Sequence, residues 1–297
     1  MFDEKSICAD ISASTGSLFL LANQNTVAGG DINDAYRLEG QCGRNFFLKL
    51  NSRGKQEMFT AEAEGLAELA LAKAIRIPIA VCCGETKQHT YLVLEHIEFG
   101  SASATSDSLL GEQLANLHRF DSNGRGYGWH RDNTIGATPQ LNDWSNNWLE
   151  FLAEQRLGYQ LDLAGRNGMS KSVLKKGQRL LDGLAFYFES YTPEPSLLHG
   201  DLWAGNAGVD KKGQPVIYDP AVYYGDRESD IAMTELFGGF SNSFYAAYEQ
   251  IWPLDSGYAK RRDIYRLYHI LNHFNLFGGG YVSQSSSLLD KLLIYLP

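Results

Sequence analysis

Residues 197–221, LLHGDLWAGNAGVDKKGQPVIYDPA, constrain the fold of this chain more than any other stretch. His199, Asp201 and Asn206 stand at HxDxxxxN spacing, and a second acid, Asp219, ends the next short strand. A polar turn and a β-rich run before Asp219 reverse the chain and carry it back toward the loop. We therefore expect two carboxylates and one amide to face the same small volume.

These residue types suit phosphoryl transfer, in which charge spreads over the transferred group and catalysis depends on positioning and charge neutralisation. Mg²⁺ prefers oxygen ligands, so one carboxylate, one amide oxygen and the phosphates of a nucleotide are sufficient to hold it. We assign Asp201 to the acceptor hydroxyl, and Asn206 and Asp219 to Mg²⁺. The motif alone leaves open a second interpretation, an Asx-rich surface turn followed by a hairpin.

Composition narrows the classes of partner. The chain has 297 residues, 44% of them hydrophobic, which is ample for a packed core. A net charge of −9 and a pI near 5.3 argue against nucleic acid or an anionic membrane surface as the main partner. The acidic N-terminus lacks a secretory pattern and no run approaches a membrane span, so we expect a cytosolic protein.

Residues 27–51 follow the pattern strand, glycine turn, strand, turn, strand. Gly29 and Gly30 occupy the first turn, where glycines let backbone N–H groups approach phosphate oxygens closely. We expect this turn to cover a nucleotide, although such a turn is also typical of an ordinary hairpin. Lys49 lies in the third strand among apolar neighbours, so it needs an acidic partner.

The following helix, at 56–74, supplies that partner. Glu62 falls on its apolar stripe, whereas Glu57, Glu64 and Glu68 lie elsewhere on the helix, where we expect them to be solvated. Lys49 and Glu62 are predicted to pair, with the lysine on the nucleotide phosphates and the glutamate orienting it. Taken singly, each is better explained as a snorkelling or surface charge.

Two strands, at 79–83 and 90–95, follow the helix, and the small polar stretch 101–108 is predicted to link two lobes. An adenine would bind the backbone of Glu95 to Ile97. Beyond residue 108 the pattern is helical, except for a long loop at 119–142 that its aromatic residues mark as ordered. The helices are predicted at 144–157, 170–191, 229–237, 244–252, 261–277 and 287–295. The acidic run 226–230 also fits the capped N-terminus of one of these helices.

With these features in order, the whole chain resembles the fructosamine kinase (ketosamine-3-kinase) family, in the aminoglycoside phosphotransferase-like branch of the protein-kinase fold. The strings that carry the resemblance are LLHGDLWAGN at 197–206, DPAVYYGDRESDIAMTELFGGF at 219–240, DNTIGATPQLNDW at 132–144 and YRLYHILNHFNLFGGGY at 265–281. The resemblance implies an α+β protein with a small antiparallel-sheet N-lobe at 1–96, a larger helical C-lobe at 97–297, and ATP between them.

Carried over by position, the resemblance makes Lys49 and Glu62 the ion pair, Asp201 the catalytic base, and Asn206 and Asp219 the metal ligands. It implies ATP-dependent phosphorylation of the C3 hydroxyl of a ketosamine, which is a sugar rearranged onto a small amine or a protein lysine. The product then releases the amine, which is deglycation repair.

The acceptor would meet Trp203, whose ring can stack on a sugar, with Asp226, Arg227, Glu235 and Phe237 as further candidates for the wall. Trp203 fits a core position equally well. An acidic protein suits an acceptor that carries an ammonium group. We expect a monomer or a weak dimer.

The chain departs from protein kinases at Gly200, where an arginine would stand, and at 219–221, which read Asp-Pro-Ala. It also lacks an APE segment, so activation-loop phosphorylation is not expected. Two alternatives stay open. One is a related kinase acting on an aminoglycoside or a choline-like acceptor. The other is a pseudokinase that binds ATP without transferring phosphate, although Lys49, Glu62, Asp201, Asn206 and Asp219 are all present.

Overall fold

The computed structural model describes residues 2–27 and 32–297. A five-stranded antiparallel sheet occupies the N-terminal third, with strand order β1-β2-β3-β5-β4. Its strands are β1 (Leu21–Thr26), β2 (Asp34–Gly40), β3 (Asn45–Ser52), β4 (Ala80–Glu85) and β5 (His89–Glu95). Three successive strands are therefore present as predicted, although the first ends at Thr26, before the predicted range 27–51, and the glycine turn lies outside the described residues.

Two helices cover the two faces of this sheet. Helix α1 (Glu4–Thr15) packs Ile7 and Ile11 against the face that bears Leu48 and Val93. Helix α2 (Gln56–Leu71) packs on the opposite face, where Leu92 and Leu94 belong to a core that continues into the C-terminal part. Because successive strand residues alternate between faces, β3 sends Lys49 to the α2 side.

The C-terminal part is mainly helical. Its helices are α3 (Ala104–His118), α4 (Trp148–Phe151), α5 (Tyr159–Arg166), α6 (Lys171–Asp182), α7 (Glu228–Thr234), α8 (Asn242–Ile251), α9 (Tyr258–Phe277) and α10 (Tyr281–Leu293). A π-helical turn, Leu152–Gly158, joins α4 to α5, and 3₁₀ turns lie at Leu184–Phe188 and Ala204–Asn206. Short strand pairs complete it, formed by β6 (Asn133–Ile135) with β7 (Thr138–Gln140), β8 (Ser196–Leu198) with β11 (Tyr223–Gly225), and β9 (Ala207–Val209) with β10 (Pro215–Ile217).

The predicted linker at 101–108 is wrong in its second half. Ser103 accepts a hydrogen bond from the N–H of Ser106 and the Ser106 hydroxyl accepts one from the N–H of Ser103, so this pair caps α3. The connection between the two parts instead runs along the β9-β10 hairpin, where the N–H of Gly100 donates to the Val209 carbonyl at 2.7 Å. We propose that the boundary between the N-lobe and the C-lobe lies between residues 96 and 97, because β5 ends at Glu95.

None of the helices in the described ranges combines the length and apolar composition needed to cross a bilayer.

Candidate active site

Lys49 is almost fully buried and lies between two carboxylates. Its Nζ is 2.6 Å from Glu62 Oε1 and 2.5 Å from Asp219 Oδ1. Burial opposes the positive charge of Lys49, but the charges of Asp219 and Glu62 outweigh it and raise the lysine pKa above its ordinary value. The lysine is therefore a fixed cation that joins β3, α2 and the segment after β10.

The backbone of the HGD loop is held from behind by a buried acid. Asp230 accepts hydrogen bonds from the N–H groups of His199, at 2.7 Å, and Gly200, at 2.8 Å. Its Oδ2 also lies 3.1 Å from His118 Nε2. Burial raises the pKa of Asp230, but the hydrogen bond and charge of His118 and the charge of His199 more than offset this, so the pKa stays below its ordinary value.

Gly200 takes a backbone conformation that other residues avoid. Its φ is +83°, and a Cβ there would lie 2.0 Å from the Ala221 carbonyl oxygen. The neighbouring N–H of Ala221 donates to the His199 carbonyl at 2.8 Å. The HGD loop and the residues after Asp219 are thus in direct backbone contact, which only glycine permits. Asp219 itself has φ +58°, a strained value for a residue with a Cβ.

Asp201 and Asn206 complete the group. The amide nitrogen of Asn206 donates to the Asp201 carbonyl at 2.9 Å and lies 3.5 Å both from Asp201 Oδ2 and from the Asp219 carbonyl oxygen. Burial, with the charges of Asp219 and Asp230, raises the pKa of Asp201 to about 7. Lys49, Glu62, Asp201, Asn206 and Asp219 are therefore linked by one continuous set of contacts.

Trp203 and Phe237 lie next to this group, in edge-to-face contact with each other. Their ring centroids are 6.2 Å apart at an interplanar angle of 74°, and Trp203 remains 38% exposed. The Trp203 ring lies directly over Gly205, where a Cβ would be 2.3 Å from it. Trp203 is therefore not the core residue that its sequence position also allowed.

Three other candidates for the acceptor wall have partners inside the protein. Asp226 is fully buried and accepts hydrogen bonds from Tyr191 and Tyr265, while Arg227 donates to Tyr248 and to the carbonyls of Trp252 and Pro253. The expectation that Asp226 and Arg227 face a substrate is therefore wrong.

Glu235 is partly exposed, but Tyr258, Arg262 and Arg266 all bind its carboxylate. Because these three protein groups already bind the Glu235 carboxylate, it is less available to contact a substrate.

Gly29 and Gly30, which the sequence predicts to cover a nucleotide, lie outside the described residues. Glu95 and Ile97 lie in the segment that leaves β5, and the N–H of Glu95 donates to the Ile79 carbonyl at 2.9 Å. The carbonyl of Glu98, next along, accepts from the N–H of Lys211 at 3.1 Å, so the segment is fixed between β4 and the β9-β10 hairpin.

Two features escaped the sequence analysis. Asp230 fitted a helix cap, and only its position directly before an apolar run could have signalled burial. Glu64 and Glu68 are not simply solvated, because Glu64 binds His130 and Arg131 and Glu68 binds Tyr224. Their partners lie at least 66 positions away in the sequence, so no local pattern reveals them.

The fold and site together are those of a kinase with a buried lysine–glutamate pair and an HGD loop. The family model for fructosamine kinase matches residues 3–295. The chain belongs to the fructosamine kinase family, and with it to the ATP-dependent kinases, as the sequence predicted.

Relatives named for related activities cover nearly the whole chain. A protein of Synechocystis sp. named "Probable ketoamine kinase" is 46% identical over 294 residues, covering 97% of this chain and 96% of that protein. The chloroplastic protein-ribulosamine 3-kinase of Arabidopsis thaliana is 45% identical over 269 residues, covering 90% of this chain and 82% of the relative.

Solved structures confirm the kinase-like fold. A Haemophilus somnus protein whose name places it among the fructosamine-3-kinases superposes with a TM-score of 0.90 at 31% identity, covering 97% of each chain. An aminoglycoside phosphotransferase, solved as a ternary complex with ADP and hygromycin B, superposes with a TM-score of 0.68 at 16% identity, covering 97% of this chain and 98% of that one. At that identity the second match shows the fold alone.

Proposed function

We propose that this protein phosphorylates the C3 hydroxyl of ketosamines with ATP and thereby removes sugars from amines. The observation that carries the proposal is the contact series from Glu62 through Lys49, Asp219 and Asn206 to Asp201, within a chain of this family. The names of the relatives, ketoamine kinase and protein-ribulosamine 3-kinase, support the choice of acceptor.

In this proposal Asp201 takes the proton of the acceptor hydroxyl as that oxygen bonds to the γ-phosphorus of ATP and ADP leaves. A carboxylate whose pKa lies near 7 is suited to hold a proton briefly at neutral pH. Asn206 fixes the position of Asp201 through its amide nitrogen, and Lys49 supplies a permanent positive charge for the phosphates.

Asp219 and Asn206 fit a hard divalent cation. The Asp219 side chain is 44% exposed, and the Asn206 amide nitrogen donates within the protein, so the amide oxygen is the atom left to bind a ligand. Oxygen ligands of this kind match Mg²⁺. Bound there with a nucleotide, the ion would neutralise charge on the phosphates.

The exposed Trp203 ring and Phe237 form the proposed acceptor wall. An aromatic face can pack on the apolar side of a sugar and attract the ammonium group of a ketosamine. The net charge of −9 favours the same cationic acceptor.

ADP release tests the proposal. Mg-ATP is supplied with fructosyl-, ribulosyl- and erythrulosyl-lysine, free and on a protein, and with an aminoglycoside and choline as alternative acceptors. We expect turnover on ketosamines alone, absent in the Asp201→Asn variant, which should still bind ATP. Turnover only on the alternative acceptors would point to the wider phosphotransferase class, and ATP binding without turnover on any acceptor would favour a pseudokinase. The cytosolic location and the monomeric or weakly dimeric state stay predictions.

A further inference from the structure

Helix α2 carries Glu62 and is held on a second face by the C-terminal part of the chain. Arg131 Nη1 lies 3.0 Å from Glu64 Oε1, and His130 Nε2 lies 3.0 Å from Glu64 Oε2, so both oxygens of this carboxylate are bound. One turn further along, the Tyr224 hydroxyl donates to Glu68 Oε1 at 2.7 Å.

These contacts differ in how far water can weaken them. The Arg131 side chain is 22% exposed and binds Glu64, which is 41% exposed, and it also binds Glu57, which is 88% exposed. A contact to a fully solvated carboxylate contributes little, whereas a charge-assisted bond from a largely covered guanidinium contributes more. The Arg131–Glu64 and Tyr224–Glu68 contacts are therefore the ones that can fix α2.

The residues that hold α2 are themselves fixed. The carbonyl of Arg131 accepts from the side chain of Asn142 at 3.1 Å, and Asn142 in turn accepts from Arg156 at 2.7 Å. Trp129, which precedes the pair His130 and Arg131, is 2% exposed. The 119–142 loop therefore presents Arg131 from a rigid base.

Tyr224 is equally well placed, because it lies in β11, only five positions after Asp219. Its N–H and carbonyl exchange hydrogen bonds with Gly128, at 2.8 and 2.9 Å, and β11 pairs with β8. The segment after Asp219 thus passes directly into a buried strand.

We propose that Glu64, Glu68, Arg131 and Tyr224 form an α2 latch that keeps Glu62 against Lys49, with Arg131 as its main positioning residue. Lys49 is shared between Glu62 and Asp219. If α2 moved outward, Lys49 would remain on Asp219 alone, where it would compete with the metal and lose its orientation toward the phosphates. In protein kinases, phosphorylation of an activation loop can switch the Lys–Glu pair into place. Here the latch would hold the pair in place permanently, which agrees with the absence of an APE segment from the sequence.

Steady-state kinetics with Mg-ATP and a turned-over acceptor test the latch. In Arg131→Met we expect kcat/KM for ATP to fall about tenfold, the loss of one partly buried charge-assisted contact, while KM for the acceptor stays unchanged. Arg131→Lys should recover part of the loss, because an ammonium can bind Glu64 but lacks the fork that spans two carboxylates. Lys176→Met is the matched control, since Lys176 in α6 pairs with Asp290 in α10, outside α2 and the residues that hold it, and should behave as wild type.

A double-mutant cycle separates positioning from general stability. In a Glu62→Gln background the latch has no carboxylate left to position, so adding Arg131→Met should cost almost nothing further in kcat/KM. An equal tenfold loss in that background, or wild-type kinetics in Arg131→Met, would overturn the proposal. If Arg131→Met does not fold, Tyr224→Phe removes one latch bond by deleting a single oxygen, and the same cycle applies to it.

Discussion

Replacing Gly200 with alanine tests the backbone contact on which the site depends. A residue with a Cβ at φ +83° costs about 1 to 2 kcal/mol wherever it occurs. At Gly200 the new Cβ would also lie 2.0 Å from the Ala221 carbonyl oxygen, against the 3.0 Å below which real Cβ contacts essentially do not occur. The carbonyl must therefore move by about 1 Å, and overpacking of this kind adds about 1 to 3 kcal/mol.

The displaced residues are the neighbours of Asp219 and Asp201, so activity should suffer more than stability. A shift of about 1 Å in catalytic groups costs roughly 100-fold in rate. Gly213 provides the control, because its φ is +81° and no atom lies within 4 Å of the position that a Cβ would take there. Gly213→Ala therefore carries the backbone cost without the overlap.

Thermal unfolding and kcat are measured for both variants. We expect Gly213→Ala to lower Tm by a few degrees, at about 2 to 4 °C per kcal/mol, and to keep its kcat. Gly200→Ala should lose about twice as much stability or more and at least roughly 100-fold in kcat. Equal Tm and kcat in the two variants would refute the argument that backbone contact at Gly200 shapes the site.

Three further predictions follow from named contacts. Glu62→Gln leaves Lys49 with Asp219 alone, so kcat/KM for ATP should fall about tenfold or more in the ADP-release assay, and unchanged ATP kinetics would contradict the pairing. Trp203→Leu removes the exposed acceptor face, so KM for the ketosamine should rise several-fold while KM for ATP stays constant, and the reverse pattern would exclude the proposed wall. Burial, helped by the charge of His273, lowers the pKa of His269 to about 3, whereas an unfolded histidine titrates near 6.5. The stability that neutral, buried His269 contributes is therefore complete above pH 6.5 and is lost as the pH falls below it, with a slope approaching about 1.4 kcal/mol per pH unit. His269→Leu should therefore show a shallower loss of Tm between pH 7.5 and 5.5 than wild type.

The sequence predicted the parts of the site that follow from local rules. An enclosed lysine requires an acid, and the helical stripe selected Glu62, so the Lys49–Glu62 contact could be predicted from spacing and burial. The contact of Lys49 with Asp219 could not, because it joins positions 170 apart and depends on where the β9-β10 hairpin places Asp219.

The predictions that were wrong concern polar residues whose hydrogen-bond partners lie within the protein. Asp226 and Arg227 have the charge of ligand-binding residues, yet tyrosines and backbone carbonyls satisfy them in the core. The serine-rich stretch 101–108 is typical of a linker, but Ser103 and Ser106 form a capping box that begins α3. In each case a polar side chain has two physical uses, and only the fold determines which one applies.

The position of the transferred phosphate tests the central claim most directly. Fructosyl-lysine is incubated with Mg-ATP and the protein, and the product is followed by ³¹P and ¹³C nuclear magnetic resonance. The proposal predicts one ADP per phosphate, a phosphate attached to the C3 oxygen, and later release of free lysine. Phosphate on any other hydroxyl, or ADP formed with no phosphorylated sugar, would contradict it.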